Sequence, residues 1–128
     1  MEQEKIILCD TDVIIEFYRG NQEIVTELKK IGQKNIAISY ITAGELIFGT
    51  SNKRELTKLK KDIEHLILLD IDNKTCKIFL SLISTYSLSH GLAVPDGFIA
   101  ATAMTFDVEL FTLNKKDFRF IEGLKLYL

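Results

Sequence analysis

The sequence predicts an α/β protein, a three-layer α/β/α sandwich around a mainly parallel central sheet. Three observations carry this expectation. The short runs KIILCD, NIAIS and LILLDI are almost wholly apolar, without the polar alternation of a half-exposed strand, so they read as strands buried on both faces. Stretches with helical spacing of their apolar residues alternate with them. Finally, 128 residues with 47% hydrophobic and 27% charged content, one Pro and seven Gly, suit one well-packed core, which predicts a single domain over residues 1–128.

Taken in order, KIILCD is the first strand, and TDVIIEFYRG and NQEIVTELKKIG are helices, the second ending at Gly32. NIAIS is the next strand, YITAGELIFGT a helix closed by Gly49, NKRELTKLKKDIEHL a charged amphipathic helix and LILLDI the third strand. A long helix from Asn73 to about His90 carries Phe79, Leu82, Ile83 and Tyr86 as one stripe and gives way to a loop at Gly91. A helix then opens at Pro95 and Asp96, and a strand VELFTL, a turn NKKDF and a last strand LKLYL complete the chain.

Composition excludes some classes. The formal net charge of -2 neither demands nor excludes a nucleic-acid partner, and the densest basic stretch, Lys53 to Lys61, reads as a solvated helix face. The longest uncharged run, Ile78 to Pro95, is interrupted by Ser81, Ser84, Thr85, Ser87, Ser89 and His90, so no membrane span is expected. Cys9 and Cys76 have no CxxC spacing and no secretory signal before them, which predicts reduced, buried thiols and a cytoplasmic protein. His65 and His90 lie far apart in no catalytic pattern and read as structural.

The chemistry is expected in the acids. Asp10 stands at the end of an apolar run in ILCDTDVIIEF, Glu45 in TAGELIFG, Asp96 in VPDGFIAATAMTF and Asp117 in TLNKKDF. Singly, each has an ordinary explanation: a helix cap, a polar helix stripe, a first-turn acid, a polar loop. Together they form a pattern. Asp10 and the Thr112 to Asp117 segment follow apolar strands, while Glu45 and Asp96 lie near the starts of apolar helices, and Glu45 is expected to be largely enclosed by Ala43, Leu46, Ile47 and Phe48.

Open parallel sheets bind ligands outside the carboxyl ends of their strands. Three or four carboxylates gathered there repel one another unless a divalent cation holds them, and oxygen-only ligands point to Mg²⁺ or Mn²⁺. The triplet Asp10-Thr11-Asp12 also fits the nucleophile motif of a phosphoaspartyl hydrolase, although the lysine and paired aspartates such an enzyme needs downstream are not evident. A non-catalytic, receiver-like interaction module is a third reading.

In order, DTDVI, the TAGEL helix, PDGFIAATA and TLNKKDF resemble the acidic motifs of PIN-domain nucleases, and within them the VapC-type toxins of bacterial and archaeal toxin–antitoxin pairs. The resemblance runs from Lys5 to Leu128, and PDGFIAATA is its most specific part. It implies a PIN-like fold with Asp10, Glu45 and Asp96 as the principal metal-binding carboxylates and Asp117 as the fourth acid, supported by Thr112 and Asn114. Thr11 and Asp12 are left as helix-start residues. It also implies a Mg²⁺- or Mn²⁺-dependent endoribonuclease that leaves a 3′-hydroxyl and a 5′-phosphate, an RNA target such as transfer RNA, an antitoxin partner and a homodimer. Gly97 stands where the family often has a larger apolar residue, an exchange expected to loosen that helix start by about 1 kcal/mol relative to Ala.

Overall fold

A computed structural model describes residues 4–128, so the first three residues of the predicted domain lie outside the described residues. Four short strands form the sheet: β1 (Ile7–Cys9), β2 (Ile36–Ser39), β3 (Ile67–Leu69) and β4 (Glu109–Phe111). Their order is β3-β2-β1-β4 and every pairing is parallel, with Leu8 opposite both Ala37 and Leu110. Parallel strands buried on both faces need no polar alternation, and β1 and β2 are buried at every position.

Among the described residues six α-helices cover the sheet: α1 (Thr11–Tyr18), α2 (Gln22–Ile31), α3 (Tyr40–Phe48), α4 (Lys53–Glu64), α5 (Asn73–His90) and α6 (Val94–Phe106). Local chemistry starts most of them. Asn21, Ser39, Asn52 and Asp72 each accept from backbone N–H groups of the first turn that follows. Gly32 and Gly91 end α2 and α5 with positive φ, a conformation that costs glycine little. The α6 helix has no side-chain cap and relies on Pro95, whose missing N–H would have been unsatisfied there anyway.

Two apolar clusters make the outer layers. One joins Ile7, Cys9 and Ile38 to Val13, Ile24, Leu28, Leu46 and Leu59 from α1 to α4. The other joins Leu8, Ala37 and Leu110 to Leu82, Ile99, Ala100 and Ala103 from α5 and α6. Successive residues of β1 thus feed opposite clusters, as a pleated strand requires. Phe79 and Ile83 pack toward the second cluster with Leu82 and Tyr86, the stripe expected of α5. No helix among the described residues is long and apolar enough to cross a membrane.

Four expectations need correction. LKLYL is not a strand: it meets β4 at one bridge, Leu110 to Leu126, with only the hydrogen bonds that flank Leu110, because β4 leaves the sheet directly after Phe111. Cys76 is exposed rather than buried, since it stands on the outer side of α5, whereas Cys9 is buried. Glu45 is exposed too, because its neighbours Ile47 and Phe48 do not enclose it and Phe48 is itself 91% exposed. Gly97 does not merely loosen α6: a Cβ there would stand 2.9 Å from Ile83 Cδ1 and 3.2 Å from the Phe79 ring, so its smallness lets α6 approach α5.

Candidate active site

The strand order reverses beside β1. From β1 the chain moves to β2 and β3 on one side, then crosses to place β4 on the other, so the carboxyl ends of β1 and β4 frame the switch point where open sheets hold ligands. Asp10 is the first residue beyond β1. Its N–H donates to Phe111 O at 2.8 Å, which ties it to β4, and its Oδ1 accepts from Thr11 N at 2.8 Å at the start of α1. Its Oδ2 accepts from Thr112 Oγ1, also at 2.8 Å. Burial pushes this carboxyl above its ordinary value, the bonds from Thr112 and Thr11 oppose that rise, and the charges of Glu45 and Asp117 add to it.

The side chains of Thr112 and Asn114, expected to support Asp117, bond to two other acids, while Asn114 reaches Asp117 through its backbone carbonyl, which accepts from Asp117 N at 3.0 Å. Thr112 is buried and bonded to Asp10, while Asn114 Nδ2 donates to Asp12 Oδ2 at 2.7 Å. Asp12 lies in the first turn of α1, as a helix-start residue should, yet it also accepts from Leu113 N at 3.2 Å. Its carboxyl is pushed up to about 6, chiefly by burial and then by Asp10, against the opposing bonds from Leu113, Val13 and Asn114.

Between α1 and α3, Thr11 Oγ1 donates to Glu45 Oε1 at 2.7 Å and lies 2.9 Å from Thr42 Oγ1. Thr42 is fully buried and its N–H is held by Ser39 Oγ at 3.0 Å, so α3 starts from a fixed polar corner and presents Glu45 one turn later. Local patterning did not single out Thr42. Its available signal was its place three residues before Glu45, on the same helix side.

Asp96 is in the first turn of α6, half-buried, and among the described residues it accepts no hydrogen bond. Its carboxyl is pushed up to about 6, by burial first and then by the charges of Asp10, Asp117 and Glu45. Asp117 ends an exposed 3-10 turn, Lys115–Asp117, that follows β4. The four predicted acids are thus close enough for their charges to act on one another. The thiol of Cys9 behind them is pushed up to about 12 by burial, Asp10 and Asp12, so it stays protonated and is no nucleophile.

Among the described residues none of Asp10, Asp12, Glu45, Asp96 and Asp117 forms an ion pair. As placed, no group of three or more His, Cys, Asp or Glu side chains among the described residues is arranged to hold a metal ion. The donors are nevertheless of one kind, carboxylate oxygens, and those of Asp10, Asp12 and Asp96 are destabilised as anions by burial and by neighbouring acids. That is the chemistry a hard divalent cation relieves.

Residues 7–123 match the PIN domain family. The chain is 31% identical over 126 residues to Ribonuclease VapC10 of Mycobacterium tuberculosis, covering 94% of this chain and 91% of that protein. A toxin–antitoxin complex from Klebsiella pneumoniae contains a chain with TM-score 0.79 and 28% identity, covering 92% of this chain and 94% of the other. DNA-bound VapBC from Salmonella typhimurium shares the fold at TM-score 0.83 and 24% identity, covering 96% and 97%.

Proposed function

The chain belongs to the PIN-domain family, and from that premise we propose that it is a divalent-metal-dependent endoribonuclease, the toxin of a type II toxin–antitoxin pair. One observation carries the reading: at the switch point of a parallel sheet the charges of Glu45 and Asp117, from two further elements, bear on both Asp10 and Asp96, and among the described residues no basic side chain is paired to any of the four. The likeness to a ribonuclease and to a chain of a toxin–antitoxin complex supports it.

Asp10 and Asp96 would hold the ion, with Glu45 and Asp117 facing it from α3 and from the turn after β4. A bound Mg²⁺ or Mn²⁺ would polarise the phosphodiester and lower the pKa of the attacking water. The protein's part is placement. Thr11 N–H and Thr112 Oγ1–H orient one Asp10 oxygen each, so that carboxylate needs little rearrangement before reaction. Glu45, exposed and steadied by Thr11, can accept a hydrogen bond from water beside the phosphate.

The test is cleavage of a transfer-RNA pool by the purified chain with Mg²⁺ or Mn²⁺ and with chelator. Cleavage should need the metal and disappear in Asp96→Asn. A folded, metal-supplied wild type that leaves RNA intact overturns the nuclease reading. Expression should slow growth, and co-expression of the protein from the neighbouring reading frame should relieve it; harmless expression of active enzyme overturns the toxin reading alone.

A further inference from the structure

We propose that Asp12 is a positioning residue: its carboxylate clasps the loop after β4 and through that loop aims the Thr112 hydroxyl at Asp10. The proposal deepens the nuclease reading and rests on it. Asp12 Oδ2 accepts from Asn114 Nδ2 at 2.7 Å and from Leu113 N at 3.2 Å, with Oδ1 a further 3.4 Å contact to the same N–H. Two donors of one loop, one backbone and one side chain, thus converge on one carboxylate 101 and 102 positions earlier in the chain.

The clasp has a direction. Asn114 N donates to Thr112 Oγ1 at 3.1 Å, and that hydroxyl stands 2.8 Å from Asp10 Oδ2. A hydroxyl has one proton. With an N–H already pointing at its oxygen, Thr112 directs that proton to Asp10, which has none to give when ionised. The path Asp12, Asn114, Thr112, Asp10 is therefore continuous, and its members are too well placed to exchange roles freely. The same loop carries the fourth acid, because Asp117 N donates to Asn114 O at 3.0 Å. Holding Asn114 therefore sets both the hydroxyl on Asp10 and the start of the turn that presents Asp117.

The test compares Asp12→Ala with Asp12→Asn, because Asn keeps an acceptor oxygen of similar size and removes the charge. Amide hydrogen exchange at Leu113, followed by NMR, reads the clasp directly, and kcat and KM for metal-dependent RNA cleavage read its consequence. In Asp12→Ala, Leu113 should exchange at least about tenfold faster while β1 amides keep their protection. The kcat should fall about tenfold, with KM within about twofold of wild type. Asp12→Asn should restore protection and bring kcat back to within about threefold.

Unchanged Leu113 exchange in Asp12→Ala overturns the proposal, as does an Asn variant as slow as the Ala variant, since charge rather than placement would then be what matters. Should Asp12→Ala fail to fold, Asn114→Ala opens the clasp from the other side, and an unchanged kcat in that variant overturns the proposal equally. A wild type that cleaves no RNA defeats the nuclease reading instead, and the exchange comparison still decides whether the clasp exists.

Discussion

Asp10 and Asp96, near enough for the charge of one to bear on the other, are held in place by opposite means. Asp10 is 6% exposed, and each of its oxygens receives a hydrogen bond from the protein. Asp96 is placed only by its backbone, which Gly97 lets settle against Phe79 and Ile83, and among the described residues its carboxylate receives no hydrogen bond. The contrast shows in their titration: hydrogen bonds offset part of what burial does to Asp10, while at Asp96 burial and three neighbouring charges act unopposed. Polar ties fix orientation in advance. Apolar packing fixes position and leaves the charge to be satisfied by what binds.

The largest expected effect comes from removing either charge. Asp10→Asn and Asp96→Asn should each lose at least about a hundredfold in RNA cleavage, about 2.7 kcal/mol of transition-state stabilisation, with circular dichroism unchanged. Thermal melts without metal should then separate them. Asp96→Asn should melt above wild type near neutral pH because it removes an unrelieved charge, whereas Asp10→Asn should melt below it because an amide cannot accept from both Thr11 N–H and Thr112. Equal shifts would erase the contrast. Asp117→Asn, on an exposed turn, should cost less, about tenfold in rate.

Next comes the packing that places Asp96. Gly97→Ala gains helix propensity but must displace Ile83 Cδ1 and the Phe79 ring, which stacks on Phe98 with centroids 3.7 Å apart. Overpacking costs about 1–3 kcal/mol and the helix gain returns about 1, so the variant should be about 1 kcal/mol less stable and melt about 4 °C lower. A higher melting temperature would mean that propensity, not contact, governs this position.

The smallest effect is the pH dependence of that acid. Asp96 is raised from 3.8 to about 6 in the folded protein, so folding takes up a proton between those values. Its contribution to stability is present below 3.8 and is lost as pH rises to about 6. Without metal, the melting advantage of Asp96→Asn over wild type should grow across that window and level off above about pH 7. Millimolar Mg²⁺ or Mn²⁺ should raise the wild-type melting temperature and shrink the difference. A flat difference across the window would remove Asp96 from the cluster of interacting charges.

Fold and site were legible to different depths. ILC and IAIS could be read as buried parallel strands because an apolar run carries its own evidence, while ILL, read the same way, is a parallel edge strand half-buried at Ile67 and Leu68. LKLYL looked no different, yet pairing depends on how much edge β4 leaves open, which no local pattern states. The enclosure expected for Glu45 failed for a related reason: Ile47 and Phe48 are apolar but outward, and hydrophobicity alone does not distinguish a core from an exposed patch. The acids were visible as a set of strand-end and helix-start positions. Which donor serves which acid was not, because Thr112 to Asp10 and Asn114 to Asp12 each join partners 102 positions apart.

That separation also dates the birth of the cluster. The β1–β4 edge joins Ile7 to Glu109 and Cys9 to Phe111, so one of the two walls of the switch point forms only across a loop of about a hundred residues. Contacts so distant in sequence close slowly compared with turns and helices. On the ribosome, Asp10 and Glu45 emerge well before β4, the strand that completes their surroundings, and Asp96 shortly before it. A half-made chain carries the acids without the Thr112 bond that orients the first of them. For a nuclease of the proposed kind, the fold's topology thus works as a delay, withholding the finished cluster until β4 and the loop after it have been made.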